Sequence, residues 1–108
     1  MDEAEIENYR GDSLQLDILA EDESGTPVDF TDATFRIAIG TTPDIDEGDA
    51  TITNGGTAGT VSIFIGYDKM ETLALGEYVF DVEATWETEK RRETLVYGTL
   101  SIIEDVSV

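Results

Sequence analysis

The chain contains no cysteine and no histidine. Without thiols there is no disulfide staple, no thiolate nucleophile and no cysteine-ligated metal. Without imidazole the commonest general base and a principal zinc ligand are gone as well. Basic residues are scarce: two Lys and four Arg stand against 25 Asp and Glu, for a formal net charge of −19 over 108 residues. A surface of that sign repels phosphates and anionic headgroups, so neither nucleic acid nor a membrane is expected as a partner. Long apolar runs are missing too. Nothing approaches the roughly 20 consecutive residues of a membrane-spanning helix. The opening MDEAEIENY is acidic and has no apolar h-region, so it does not read as a signal peptide. The lack of cysteine leaves the redox compartment open.

What is present is enough for one core. Hydrophobic residues make up 40% of a chain the length of one ordinary domain. No linker, repeat or low-complexity stretch divides it, so residues 1–108 read as a single domain. The acidic excess gives a solubility surface. It also reads as adaptation to high salt, where repulsion among carboxylates is screened.

Period-two alternation runs almost throughout. Leu14, Leu16 and Ile18 mark a first strand, and EDESGT with Gly25 is a turn from which Pro27-Val28-Asp29-Phe30 leads out. Phe35, Ile37 and Ile39 share one parity in a second strand. Residues 41–49 form an acidic loop, Ala50–Thr53 is a short strand, and Asn54-Gly55-Gly56 is a strong turn signal. Val61, Ile63 and Ile65 mark the next strand. Asp68–Leu75 is the one helix-like stretch, a turn or two, with Asp68 placed to cap it and Gly76 to end it. Tyr78, Phe80, Val82, Ala84 and Trp86 then alternate, and after a charged tip, ETEKRRE, Val96, Leu100 and Ile102 keep step in a final strand. About seven short strands with turns between them predict an all-β, antiparallel sandwich with one short helical turn. No βαβ alternation supports a parallel sheet.

The segment LALGEYVFDVEATW places Leu73, Gly76 and Tyr78 as a structural corner, in which a tyrosine hydroxyl bonds back to upstream backbone where the chain crosses between sheets. Phe80 stands where antibody domains carry a cysteine. In chain order come YRGDS, GTPVDFTDATFRI, TLALGEYVFDVEAT and YGTLSIIEDV. That order resembles the immunoglobulin-like N-terminal domain of phage baseplate upper proteins and related small virion structural proteins of tailed viruses. The likeness runs from Tyr9 to about Val106. It departs at Ser24-Gly25-Thr26, where Asp-Gly is common, and at the acidic loop, which has no counterpart. The resemblance implies that the sandwich is of immunoglobulin-like type, in a non-enzymatic virion protein without cofactor, present in many copies. Such a protein docks onto other virion proteins, and onto copies of itself, at the capsid surface as a decoration or at the tail and baseplate. The alternative is a stand-alone module that binds carbohydrate or a receptor through its loops.

Other motifs carry less. Arg10-Gly11-Asp12-Ser13 matches an integrin-type adhesion tetrapeptide, but it abuts the first strand and reads as that strand's entrance turn. Asp44-Ile45-Asp46-Glu47-Gly48-Asp49 suggests a calcium loop. An EF-hand starting at Asp44 requires oxygen ligands where Gly48 and Gly55 stand, so only a looser cation site remains open. There is no phosphate-binding glycine loop and no nucleophile elbow. Hydroxyls have no histidine to activate them. No catalytic, cofactor or metal residues are assigned.

For a partner surface, strand alternation sends Phe64, Val79, Leu95 and Tyr97 away from the core set, as a second apolar face. Lys90, Arg91 and Arg92, half of all the basic residues, gather at one hairpin tip. There they either meet an acidic neighbouring subunit or anchor the local surface.

Overall fold

The computed structural model describes residues 2–104. In chain order the strands are β1 (Asp2–Tyr9), β2 (Leu14–Leu19), β3 (Thr34–Ile39), β4 (Ile45–Asp46), β5 (Ala50–Asn54), β6 (Thr60–Ile65), β7 (Gly76–Trp86) and β8 (Arg91–Ile103), with one helical turn, α1 (Tyr67–Met70), before β7. They form two sheets, a five-stranded one in the order β1-β8-β7-β3-β4 and a three-stranded one in the order β2-β6-β5. The fold is an all-β sandwich. Every strand pair is antiparallel except β1 with β8, which is parallel.

Alternation explains how the sheets meet. The inward residues of β7 (Phe80, Val82, Ala84, Trp86) face those of β6 (Val61, Ile63, Ile65), with Ile37 and Ile39 of β3 beside them. All of these are buried. Burying the valine, isoleucine and phenylalanine side chains among them contributes roughly 1.5–3 kcal/mol each before chain entropy is counted. Phe30, in the β2–β3 connection, is fully buried as well.

Three expectations from the sequence need correction. The N-terminal acidic segment is a strand: Ala4 and Ile6 lean onto the core while Glu3, Glu5 and Glu7 face solvent. With only Ala4 and Ile6 facing inward among its eight residues, its pattern is submerged by glutamate. The acidic loop 41–49 is structured, with Ile45 buried in β4 and a 3-10 turn over Glu47–Asp49. The helix is shorter and starts earlier than Asp68–Leu75. Its N-cap is Gly66, Asp68 lies in its first turn, and Gly76 is the first residue of β7 rather than a helix end.

The RGDS stretch is the tight connection between β1 and β2. Asp12 N–H donates to Tyr9 C=O (3.1 Å), Arg10 N–H donates to Ile103 C=O (2.8 Å), and Gly11 takes φ +85°, which favours glycine.

Candidate interaction surfaces

Leu95 is not a surface residue. In the β7–β8 ladder Val82 pairs with Val96 and Glu83 with Thr94, so Leu95 is an extra residue, a β-bulge. One extra residue reverses the parity of everything before it. From Val96 onward the even positions of β8 face the core, but Arg91, Glu93 and Leu95 lie on the inward side too. Leu95 is accordingly buried and Val96 packs beside it.

The remaining three apolar candidates do not form one face. Val79 and Tyr97 lie on the outer side of the five-stranded sheet, one diagonal step apart, since Val79 pairs with Thr99 and Asp81 with Tyr97. They are 55% and 38% exposed. Phe64 lies on the outer side of the other sheet, between Gln15 and Thr51. Tyr9, Leu19, Tyr67 and Leu75 are further exposed apolar side chains that sequence reading passed over. Tyr9 and Ile103 pair on the Val79–Tyr97 face, but six positions along β8 from Tyr97, roughly 20 Å away. Recognising β1 as a strand from the Ala4/Ile6 alternation finds Tyr9. Tyr67, in α1, and Leu75, in the connection after it, carry no periodic signal.

Carboxylates surround the Val79–Tyr97 pair: Glu3, Glu5 and Glu7 on β1, and Glu77, Asp81 and Glu83 on β7. Arg36 reaches Glu83 (3.5 Å) and Glu47 (3.8 Å). Asp81 is pushed above the ordinary carboxylate range, first by burial and then by the neighbouring Glu83 charge, with Arg36 opposing. A carboxyl raised in the folded state destabilises the fold once ionised. That cost is full above its folded pKa and absent below its unfolded one. Asp81→Asn is therefore expected to raise the melting temperature at neutral pH. The gain should fade as pH falls through the carboxylate range, as followed by thermal melts from pH 3 to 8. A gain that is the same at every pH would assign the effect to something other than this charge.

At the corner, Tyr78 Oη donates to the carbonyl of Ala74 at 2.8 Å, Leu73 is buried, and Gly76 begins β7. The bond ties the connection after α1 to the strand that follows it. Tyr78→Phe removes this one bond and keeps the ring. The expected loss is about 0.5–1.5 kcal/mol in urea unfolding. No loss would mean that water replaces the bond fully.

The basic tip splits. Lys90 closes the β7–β8 turn with φ +54°, a left-handed conformation uncommon for a side-chain-bearing residue. Arg91 folds inward, its guanidinium 3.9 Å from the centre of the Trp86 ring and 3.8 Å from Glu89. Arg92 pairs with Thr85 and is exposed on the outer side. All three stay solvent-exposed, but Arg91 stands on the inner side of the sheet, over Trp86, and Arg92 on the outer side.

Below the tip, between the end of β2, the β2–β3 connection and the first half of β8, opens a cleft of about 1050 Å³. Its apolar lining includes Ile18, Val28 and Leu95, and Trp86 lies beneath Arg91. Asp22 and Asp29 on its rim are held below the usual carboxylate range. Asp22 accepts chiefly from the Ser24 hydroxyl and then from Thr26 N–H, and Asp29 from the hydroxyl and N–H of Thr31.

The acidic loop uses its carboxylates internally. Asp46 accepts from Gly48 N–H (2.8 Å), Asp49 accepts from Asp46 N–H (3.2 Å), and Lys69 lies 3.7 Å from Asp49. Among the described residues no three acidic side chains converge as a metal site. Among the described residues no helix is long and apolar enough to cross a membrane. Compared with known proteins, the chain matches no family model and no curated sequence.

Proposed function

We propose that the chain is a non-enzymatic structural protein of a tailed virus. It would dock through its sheet faces onto other virion proteins, at the capsid surface or at the tail and baseplate, in many copies. The observation that carries this reading is the placement of the resembling segments. YRGDS falls on the β1–β2 turn, and LALGEYVFDVEAT and YGTLSII build the corner and the two central strands, β7 and β8. Tyr78 closes the corner by its bond to Ala74. The immunoglobulin-like class belongs to the same reading. The exposed Val79–Tyr97 pair on a sheet face supports docking, because repeated weak contacts suffice in a symmetric assembly. A carbohydrate-binding module has less support: the aromatic at the cleft, Trp86, is only 3% exposed and covered by Arg91. An enzyme has less again, since the carboxyl that is raised among the described residues, Asp81, lies on an open sheet face and not in the cleft.

The test is direct. Particles of the virus or prophage whose genome encodes the chain are banded by density, analysed by mass spectrometry and labelled with antibody to the recombinant protein. The chain is expected in the particle band, with label on shell or tail; its absence from intact particles overturns the proposal. The same reading includes a salt-rich setting, suggested by the −19 charge. Thermal stability is expected to rise from low salt to molar KCl, and a flat series would remove that part.

A further inference from the structure

β8 is 13 residues long, yet β1 pairs with it only from Val96 onward. Over Arg91–Thr94, the edge of β8 that faces away from β7 meets no strand among the described residues. Backbone donors and acceptors left open on such an edge are a template for an added strand. The acceptance of β1 further along shows that this edge takes a strand.

The cleft opens beside this free stretch. Its volume of about 1050 Å³ exceeds that of a typical small-molecule pocket, roughly 300–1,000 Å³, and has room for a short peptide. Its far wall is the end of β2, which among the described residues is an edge strand paired with β6. Charge selects the occupant. Seven carboxylates line the cleft against the single guanidinium of Arg91, and they stand on both walls: Glu21, Asp22 and Glu23 on one, Glu89 and Glu93 on the other. Ile18, Val28 and Leu95 between them offer apolar contact. A strand presents alternate side chains to opposite sides. A chain lying here would therefore meet carboxylates and apolar surface in alternation.

We infer that the cleft is a strand-addition site: an extended, lysine- or arginine-bearing segment of a partner protein pairs with Arg91–Thr94 of β8 and lies between the acidic walls. Nothing in this depends on where the protein resides, so failure of the virion assignment leaves it standing, and the reverse holds equally.

The experiment uses the full chain, isotope-labelled for NMR, and three peptides of about nine residues, long enough to span the free edge. One alternates lysine with valine. A second has the same charge but carries proline at alternate valine positions, which removes backbone donors. A third replaces lysine with glutamate. The lysine peptide is expected to bind, shift and protect the Arg91–Thr94 amides, and weaken as salt rises. The proline peptide should bind roughly tenfold more weakly or worse, for want of ladder bonds, and the glutamate peptide should not bind. Equal binding of the proline peptide would mean diffuse attraction to an acidic surface and overturn strand addition. Shifts confined to the outer sheet faces, or no binding at all, would overturn it too, the latter marking the charged edge as guarded against pairing. Association of the chain with itself through this edge would replace the basic partner with a second copy.

Discussion

Gly98→Val is expected to strip β1 from the five-stranded sheet and lower the melting temperature by roughly 10–20 °C, which corresponds to about 2–4 kcal/mol for a domain of this size. Gly98 stands in the middle of β8, paired with Phe80 on one side and Ala4 on the other. A Cβ built there overlaps the carbonyl oxygen of Ala4 and comes within 2.8 Å of its carbonyl carbon and 3.0 Å of its nitrogen. These are backbone atoms of a paired strand, so no side-chain rotation relieves the overlap and β1 itself must move. Ala4 and Ile6 then lose their contact with the core, and the strand edge of β8 from Val96 to Ile103 opens. Hydrogen exchange at the β1 amides checks this. Their protection should fall far more than that of β6, which lies in the other sheet. If β1 and β6 amides lose protection equally, the damage is global and the local account fails.

Gly98 also shows where sequence reading reaches its limit. Its neighbours Val96, Leu100 and Ile102 announce a strand, but nothing in YGTLSII says that another strand passes close enough to exclude a methyl group. That information lies some ninety residues away, in a segment whose glutamates hide its alternation. Within β7 local pattern is enough: five inward side chains in step, the outward Val79, and the corner tyrosine all follow from the strand's own residues. Of the candidate surface, Val79 and Tyr97 were legible because β7 is unbroken and Tyr97 follows the bulge. Leu95 was not, because an added residue at a bulge leaves no mark in composition and reverses every assignment upstream of it. Parity turns Phe64 outward, and it is exposed, but parity alone does not say which sheet a strand joins. The cleft was beyond reach altogether, since its walls come from residues 18–32 and 86–95 and only the packing of two sheets brings them together.

Phe30→Ala is expected to cost about 3–5 kcal/mol, a large share of the 5–15 kcal/mol that typical domains have. In the sequence Phe30 is merely the end of a turn's exit. In the structure its side chain is fully buried, edge-on to Phe35 (ring centres 5.1 Å apart, planes at 77°) and stacked on Trp86 (5.8 Å, 24°). Its backbone is fixed as well: Phe30 N–H donates to Gly56 C=O (3.0 Å), and Asn54 Nδ2 donates to Phe30 C=O (2.7 Å). The β2–β3 connection is thereby pinned to the β5–β6 turn from one side and to Trp86 from the other. Truncating the ring leaves a cavity bounded by Phe35 and Trp86, while the backbone bonds keep the chain from collapsing into it, which places the cost toward the upper part of the range. Trp86 reports the change directly. It is the only tryptophan, its Nε1 donates to Asp29 C=O at 3.1 Å, and Arg91 covers its outer face. With Phe30 gone, water reaches the indole, and its emission in the folded protein should move to longer wavelength. Phe30→Leu, which refills much of the space, should recover more than half of the stability and most of the emission shift. A loss below about 1 kcal/mol with unchanged emission would show that the connection packs without this ring. The core between the sheets would then end at Trp86, and the cleft wall would owe its shape to the backbone bonds alone.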